Sequence, residues 1–298
     1  MPGLFADRNE LADTACSVTG PARDWLDSAP PAALRTASLV DAAVTKRLGT
    51  EGDPVTIDII FPHHVESAVA CLLDVNLDQW AFWRLQRFAD PAMTELVDDS
   101  RRPLVGDRMV VPSLFDPADL PFLAPNQIAG QLDPRDWGLL PKHILVPLPS
   151  MPIRSLRWSL YGPAVEADGA AALGYKIGMA WTGAALPLDR HVGASGDGYR
   201  PGDTVTTGEG ASLWVEPGIG RRVSAIDRLV TNKKTRMELF KTIIRVGLRK
   251  PLIWVPNISD WAENFFFGGI FRNSNDYDDK YTSPKNTSVT LNLQEYRE

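Results

Sequence analysis

The stretch Arg-Ser-Leu-Arg-Trp-Ser-Leu-Tyr, residues 154–161, decides the fold class of this chain. Its side chains Leu156, Trp158 and Leu160 alternate with Arg157, Ser159 and Tyr161, and a period of two residues is that of a half-buried β-strand. The same alternation recurs in three other segments, at residues 55–61, 81–86 and 175–181. Short alternating strands between turns are typical of an antiparallel sandwich or jelly roll and argue against a βαβ fold. The sequence therefore predicts a mainly β protein.

The length and composition are those of an ordinary globular chain of about two domains. Hydrophobic residues make up 44% and charged residues 23% of the 298 residues, which argues against wholesale disorder. No apolar run approaches the roughly 18 residues of a membrane span, and the charged N-terminus lacks the apolar segment of a signal peptide. The two cysteines, Cys16 and Cys71, exclude a disulfide scaffold, and there is no Cys/His cluster for zinc. We expect no cofactor, no metal and no membrane insertion.

Charge is unevenly distributed along the chain. The net charge is −6, but residues 221–250 alone carry +8. A basic segment of this kind could contact nucleic acid or an acidic partner. It contains neither a helix-turn-helix pattern nor a glycine loop for phosphate. We therefore predict that it contacts an acidic surface of a neighbouring protein or remains solvated, and that it does not hold DNA.

Proline and glycine divide the chain into three predicted parts. Residues 1–34 show no period and are predicted to form an N-terminal arm. Residues 35–185 are predicted to form a β-sandwich, interrupted at 91–150 by an insertion that holds 10 of the 24 prolines. A Gly-rich stretch then opens a C-terminal β-rich domain over 186–298. Long apolar loops that are not core usually mark an interface, so we expect the insertion to pack against neighbouring copies or other proteins.

Two local boundaries are also predicted. The run Pro62-His63-His64 is expected to end the strand at 55–61, and a separate buried strand is expected over 67–73. The aromatic run at 265–271 is expected to be a strand.

One amphipathic helix is predicted, over about 235–246. Thr235 and Glu238 have the spacing of a capping box, in which the two side chains satisfy the first backbone amides of a helix. An apolar stripe with a spacing of three and four residues follows, formed by Leu239, Phe240, Ile243 and Ile244. Gly247 suits the left-handed position after a helix, and Pro251 prevents its continuation.

Residues that could carry chemistry are scattered. The chain has four histidines and no nucleophile motif of the Gly-x-Ser-x-Gly kind. His63 and His64 are adjacent, so on a strand they point to opposite faces, and Cys71 lies in an apolar run where a thiol is inert. The segment densest in side-chain oxygens is predicted to be a solvated turn rather than a cation site. Its residues are Asn273, Asn275, Asp276, Asp278 and Asp279. We therefore expect a protein that is not an enzyme.

The aromatic residues divide into core and interface candidates. Trp83, Trp158 and Trp181 lie in alternating strands and are predicted to be core. The remaining aromatic candidates and one histidine lie in loops, where an exposed aromatic side chain commonly anchors a partner. The predicted interface residues are Phe115, Phe122, Trp137, His191 and Trp261.

Two series of segments resemble the minor tail or tail-tip proteins of tailed, siphophage-like bacteriophages. The first resembles their discoidin-like, galactose-binding-type β-sandwich: a strand, a loop around Asn76-Leu77, a strand with Arg84, the strand at 154–161, and a closing strand with Tyr175. The second is similar to the C-terminal part of the same proteins, and its segments are residues 221–230, 235–257, 265–272 and 288–298. The order of segments carries the resemblance, which implies no ligand site residue by residue.

The resemblance implies a structural virion protein, a minor tail protein or an adaptor at the tail tip or baseplate, assembled in the bacterial cytoplasm. Its expected partners are other tail proteins such as tube, hub or fibre, in a homo-oligomeric ring or multi-copy attachment, with a host-surface glycan as a further candidate ligand. The alternative is a carbohydrate-binding module that contacts the host cell surface. A third is a hydrolase with dispersed carboxylates, because acidic residues are too many to exclude a catalytic pair by counting.

Overall fold

The structure is a computed structural model of the 298-residue chain. It describes residues 3–36, 39–101, 108–109, 143–166, 170–188, 196–200, 204–207, 213–216, 221–230, 233–248, 250–274, 278–283 and 286–296. These fold into two compact units. The sandwich unit comprises residues 8–185 and 260–266, and the helix unit comprises residues 1–7, 186–259 and 267–297.

The secondary structure is mainly β, which confirms the predicted fold class. The strands are β1 (Gly3–Ala6), β2 (Ser17–Thr19), β3 (Ala43–Val44), β4 (Val55–Val75), β5 (Phe82–Phe88), β6 (Leu96–Asp99), β7 (Arg108–Met109), β8 (His143–Tyr161), β9 (Lys176–Gly183), β10 (Leu186–Leu188), β11 (Gly196–Arg200), β12 (Thr204–Thr207), β13 (Leu213–Glu216), β14 (Arg221–Val230), β15 (Leu252–Val255), β16 (Gly269–Asn273), β17 (Asp278–Ser283) and β18 (Asn286–Glu295). The described helices are α1 (Glu10–Asp13), α2 (Lys233–Val246) and α3 (Trp261–Phe267), with a 3-10 turn at Pro31–Arg35.

Two unusually long strands organise the sandwich unit, whose strand order is β3-β9-β4-β8-β5-β6. β4 has 21 residues and β8 has 19, and they pair antiparallel along most of their length. Their register shifts twice, between Ile60 and Val65 and between Ser67 and Val69. Such irregularities bend strands, so the two halves of β4 belong to differently directed parts of the sheet.

The core of this unit draws on both halves of the bent sheet. Ile57 and Trp158 face each other across β4 and β8 in the first half, and Leu72 and Ile177 come from the second. All four are at most 1% exposed and belong to one hydrophobic cluster. Burial of large apolar side chains from both halves, at about 1.5–3 kcal/mol each, is the main force that holds the fold together.

The structure has no strand end at Pro62-His63-His64, where the sequence predicts one. Pro62, His63 and His64 are exposed but lie within β4, which joins the two segments predicted as separate strands. They fall in the interval where β4 and β8 lose register, and here a proline without a backbone donor breaks no ladder hydrogen bond. The prediction that this run ends the strand is therefore wrong.

The helix unit has its own sheet, in the order β10-β1-β15-β16-β18-β14-β11, with β17 beside β18. Residues 3–6, which the sequence analysis assigned to an arm, form β1 between β10 and β15. Helix α2 buries Leu239 and Val246 in a cluster that includes Phe5 and Leu252. Strand β1 therefore belongs to this unit, and Phe5 lies in its core.

Helix α2 begins three residues before Arg236, the first helical residue that the capping-box prediction requires. It starts at Lys233, so Thr235 lies inside the first turn and is not the N-cap, and the Glu238 carboxylate accepts from Lys241 Nζ at 2.9 Å. The predicted capping box is therefore wrong. The predicted C-terminus is confirmed: Gly247 has a φ of 56° and its amide donates to the Ile243 carbonyl at 2.8 Å.

The strand predicted over 265–271 is only partly observed. Its first residues belong to helix α3, and the strand β16 begins at Gly269, whose φ is 137°. A glycine tolerates this left-handed region without strain, so the chain can turn directly from the helix into the strand. The aromatic run was misassigned because a short apolar stretch does not distinguish a buried helix from a buried strand.

A buried arginine stabilises the bend in the sandwich unit. Arg87 in β5 is fully buried, and its Nη1 donates to the carbonyls of Ser67 and Pro149, both at 2.9 Å. Its Nε donates to Asp98 Oδ2 in β6 at 2.9 Å. Ser67 and Pro149 lie at the second register shift of β4 and β8.

We predict that Arg87→Met lowers the free energy of unfolding by about 3 kcal/mol, because it leaves a buried carbonyl and a carboxylate without their donor. Arg84→Met is the matched control. It lies on the same strand and pairs with Asp99, but its side chain is 27% exposed, so it should cost about 1 kcal/mol or less. Urea denaturation of both variants measures the difference. Equal losses would contradict a special role for Arg87.

Candidate functional site

The outer face of β5 and β8 brings aromatic and charged side chains together. Phe82 pairs with Tyr161, Arg84 with Ser159, and Gln86 with Arg157. The intervening side chains of β5 point inward and are buried, so the outward set forms a continuous ladder. One end of this ladder is aromatic and the remainder is polar.

The aromatic end consists of a stacked pair and a nearby exposed indole. The rings of Phe82 and Tyr161 lie 5.1 Å apart with their planes at 8°, and both residues are half-buried. Trp80 is 47% exposed, and its backbone carbonyl lies against Gly162, the residue that follows Tyr161. We call Trp80, Phe82 and Tyr161 the aromatic patch.

Hydrogen bonds of the Asp78 and Asn76 side chains and backbone hold the loop that carries Trp80. Asp78 accepts the amide of Trp80 on its side chain at 2.9 Å and donates its own amide to the Pro163 carbonyl at 3.0 Å. Asn76 donates to the Gly174 carbonyl at 3.1 Å and accepts from the Lys176 amide at 2.7 Å. The Asn76-Leu77 turn noted in the sequence thus fixes this loop to β9.

The polar part of the face is made of mutually paired charges. Arg157 donates two hydrogen bonds to the carboxylate of Asp58, at 2.6 and 2.8 Å. Arg84 pairs with Asp99, with its Nε 3.0 Å from Oδ1. Burial raises the pKa of Asp99, but hydrogen bonds from Arg84 and the Arg101 amide outweigh it, so the net pKa is below its ordinary value. The Asp99 carboxylate is therefore held ionised beside Arg84.

The structure describes only part of the predicted interface set. Phe115, Phe122, Trp137 and His191 lie outside the described residues, as does most of the Pro-rich insertion. Trp261 is half-buried, and its ring stacks on Trp83 at 5.4 Å and 21°. That contact explains the position of the ring without a partner protein, so it gives no support to the predicted interface role.

Several predictions about buried groups are confirmed. Trp83, Trp158 and Trp181 are 1%, 1% and 4% exposed. Cys71 is fully buried, and burial raises the pKa of its thiol, as expected of an inert cysteine.

The described part of the chain contains neither a cluster of metal-ligating side chains nor a helix that could cross a membrane. Within these ranges, no group of three or more His, Cys, Asp or Glu side chains is placed to hold a metal ion. Among the helices the structure describes, none combines the length and apolarity needed to cross a membrane.

Sequence reasoning did not find the aromatic patch. Phe82 and Tyr161 occupy the outward phase of their strands, a signal that the alternation already contained. Their proximity depends on the pairing of β5 with β8, which joins segments more than 70 residues apart. Trp80 was one of nine tryptophans, and only its loop position beside Asp78 distinguishes it.

No family model matches the chain, and no curated protein matches it. Two similar solved structures are CpGH89CBM32-6 and CpGH89CBM32-4, produced by Clostridium perfringens. CpGH89CBM32-6 is 10% identical, and the match covers 59% of this chain and 98% of that chain with a TM-score of 0.34. CpGH89CBM32-4 is 13% identical, and the match covers 59% of this chain and 99% of that chain with a TM-score of 0.32. A third, GH31 CBM32-2 bound to GalNAc, is 8% identical over 57% of this chain and 97% of that chain, with a TM-score of 0.35. Likenesses this distant carry no argument, so the class of this protein, a mainly β chain with two sheet-based units, is defined by its own contacts.

We predict that Asp99 makes stability fall in acid. Its folded-state pKa lies below the ordinary 3.8, so its contribution is complete well above that value and is lost as the pH falls through the folded pKa. Between about pH 6 and pH 3, Asp99→Asn should lose less unfolding free energy than the wild type. Asp27→Asn, which changes a 99% exposed side chain, is the control and should follow the wild type. Parallel curves for wild type and Asp99→Asn would contradict this.

Proposed function

We propose that this chain is a non-catalytic carbohydrate-binding protein that contacts a cell-surface glycan through the aromatic patch. The observation that carries the proposal is the exposure of Trp80. Of the tryptophan side chains that the structure describes, five are at most 4% exposed and Trp261 is half-buried, whereas Trp80 is 47% exposed. Leaving this apolar ring in water costs free energy, and folding alone does not explain why it is exposed. The hydrogen bonds of its loop hold Trp80 in this position.

The surroundings of Trp80 suit a sugar ring. One face of a pyranose presents C–H groups, which pack on an indole, and its edge presents hydroxyl groups, which pair with charged and amide side chains. The outer face offers both, with the Phe82–Tyr161 pair beside Trp80 and the Arg84–Asp99 pair next along β5. Because the face is open and its charges are already paired, it supports weak binding of a chain end rather than enclosure of a small molecule.

The test is binding to a glycan array, followed by calorimetric titration of the best ligand. We expect Trp80→Ala to weaken binding at least about tenfold and Trp80→Phe to retain part of it, since an aromatic ring remains. Leu173→Ala is the matched control: it removes an 88% exposed apolar side chain elsewhere on the sandwich unit and should leave binding unchanged. Absence of any glycan ligand, or a ligand whose affinity ignores Trp80, would refute the proposal.

A second candidate is a structural virion protein of a phage tail, at the tail tip or baseplate or as a minor tail protein. The order of its sequence segments supports this candidate, as do exposed apolar side chains on α2 and just after it, where Ile244 is 65% and Leu248 is 55% exposed. An assembly protein needs such a surface for its neighbours. The two candidates are compatible, because a tail-tip protein can both join the tail and touch the host.

We predict that deleting the gene prevents assembly of complete tails and that the Trp80→Ala protein restores assembly, because the aromatic patch is not needed for joining tail proteins. Electron microscopy of lysates measures this. Normal tails without the gene would refute the virion role. Failure of Trp80→Ala to restore tails, despite normal folding, would place the patch in assembly instead of glycan binding.

A further inference from the structure

The loop that carries Trp80 lies along the segment that follows β8. The Asp78 amide donates to the Pro163 carbonyl at 3.0 Å, and Leu77 forms an isolated antiparallel bridge with Ala164. Two successive backbone contacts of this kind fix the path of the loop up to Trp80. The position of the exposed indole therefore depends on how the segment after β8 is itself held in place.

Gly162, the first residue of that segment, is in close contact with the loop around Trp80. A Cβ atom at Gly162 would lie 2.9 Å from Ala81 Cα and 3.4 Å from the Trp80 carbonyl oxygen. Its φ of 106° also lies in the left-handed region that glycine tolerates without strain. Because the two backbones touch, a displacement of Gly162 displaces the loop and changes how Trp80 lies beside Tyr161.

The hydroxyl of Tyr175 holds Gly162 in turn. It donates to the Gly162 carbonyl at 2.9 Å and accepts from the Gly49 amide at 3.0 Å, and the Gly162 amide donates to the Gly49 carbonyl at 3.1 Å. These three hydrogen bonds close a ring between two chain segments and one side chain. Burial raises the pKa of Tyr175 to about 12, so the hydroxyl keeps its proton at neutral pH and remains a donor.

Packing alone does not require this hydroxyl. The side chain of Tyr175 is fully buried in the hydrophobic cluster of the sandwich unit. A phenylalanine ring would fill nearly the same volume at this position. What the hydroxyl adds is the connection to Gly162, the residue next to Tyr161 of the aromatic patch.

We propose that Tyr175 is a positioning residue for glycan recognition, which acts through the backbone and does not touch the sugar. Its hydroxyl fixes Gly162, and Gly162 sets where the Trp80 loop lies beside Tyr161. The inference rests on the proposed binding of a glycan by the aromatic patch. An open, shallow surface makes few contacts with its ligand, so a ring that is already in place avoids an ordering cost that those contacts would have to offset.

Fluorine NMR of the full chain labelled with 5-fluorotryptophan tests the positioning directly and needs no glycan. The Trp80 resonance is identified by its loss in Trp80→Phe. We expect Tyr175→Phe to shift or split that resonance, because the Gly162 carbonyl loses its donor and the loop is no longer fixed. The matched control is Thr182→Val, which removes another fully buried hydroxyl of the same unit. This hydroxyl donates to the Val69 carbonyl at 3.0 Å, and its loss should leave the Trp80 resonance unchanged.

Titration calorimetry with the glycan selected on the array measures the consequence for binding. Tyr175→Phe should weaken binding about fivefold or more, because ordering the loop then opposes binding. Thr182→Val should bind within about twofold of the wild type, although urea denaturation should show a similar loss of stability for both variants. The two buried hydroxyls are thus distinguished by their effect on affinity and not by their effect on folding.

A substitution at Gly162 provides a second variant. Gly162→Ala places a methyl group against Ala81, so it should move the Trp80 resonance and weaken binding at least as much as Tyr175→Phe does. Gly52→Ala is its control, because a Cβ atom at Gly52 meets no atom within 4 Å and should change neither measurement.

An unmoved Trp80 resonance in Tyr175→Phe overturns the inference, as does an equal change of that resonance in Thr182→Val. Unchanged glycan affinity in Tyr175→Phe also overturns it, and a loss of binding in Trp80→Ala would then leave the proposed function standing. If no glycan binds the wild type, the proposed function fails, whereas a shift of the Trp80 resonance in Tyr175→Phe alone still supports the positioning role of Tyr175.

Discussion

The guanidinium of Arg87 lies where the two longest strands lose their register, and the sandwich unit depends on that contact. The carbonyls of Ser67 and Pro149 lie at this register shift, and one nitrogen of Arg87 donates to both. Its remaining charge is balanced by Asp98 in the neighbouring edge strand. Burial lowers the pKa of this group and Asp98 counteracts the effect, so the cation is retained inside the protein. A buried, charged side chain thus joins β4, β8 and β6 at the place where the two long strands change register.

The sequence predicts the individual strands of this arrangement because each contains its own evidence. Alternation at Leu156, Trp158 and Leu160 predicts β8, and the phase of Trp83 and Leu85 predicts which side of β5 is buried. Continued by one step, that phase places Arg87 inside, against every expectation for an arginine. Burial of Arg87 is tolerated because the side chain finds carbonyl acceptors where β4 and β8 lose register. That register is a property of two distant segments, and no local sequence pattern contains it.

The same limit explains the misplaced boundaries and the missed site. Proline interrupts a hydrogen-bond ladder, and for this reason Pro62 predicts a strand end. The register between β4 and β8 shifts at this point, so Pro62 interrupts no ladder hydrogen bond and the strand continues. Thr235 has the residue type of a cap, while the helix extends two residues beyond it to Lys233. The aromatic patch needs Phe82 and Tyr161 to be neighbours, and the order β8-β5 that joins them is a topological choice. The C-terminus of α2 is predicted correctly from the sequence, because a glycine with positive φ such as Gly247 is a strictly local requirement.

Strand β5 joins the aromatic patch to the edge of the sandwich sheet. Its first residue, Phe82, belongs to the aromatic patch, and its later residues Arg84 and Arg87 pair with Asp99 and Asp98 of β6. The strand is hydrogen-bonded to β8 on one side and to β6 on the other, so its backbone is fixed along its length. A partner that packs on the rings therefore orders little of the protein backbone, and preorganisation of this kind lowers the entropic cost of binding at an open, shallow surface.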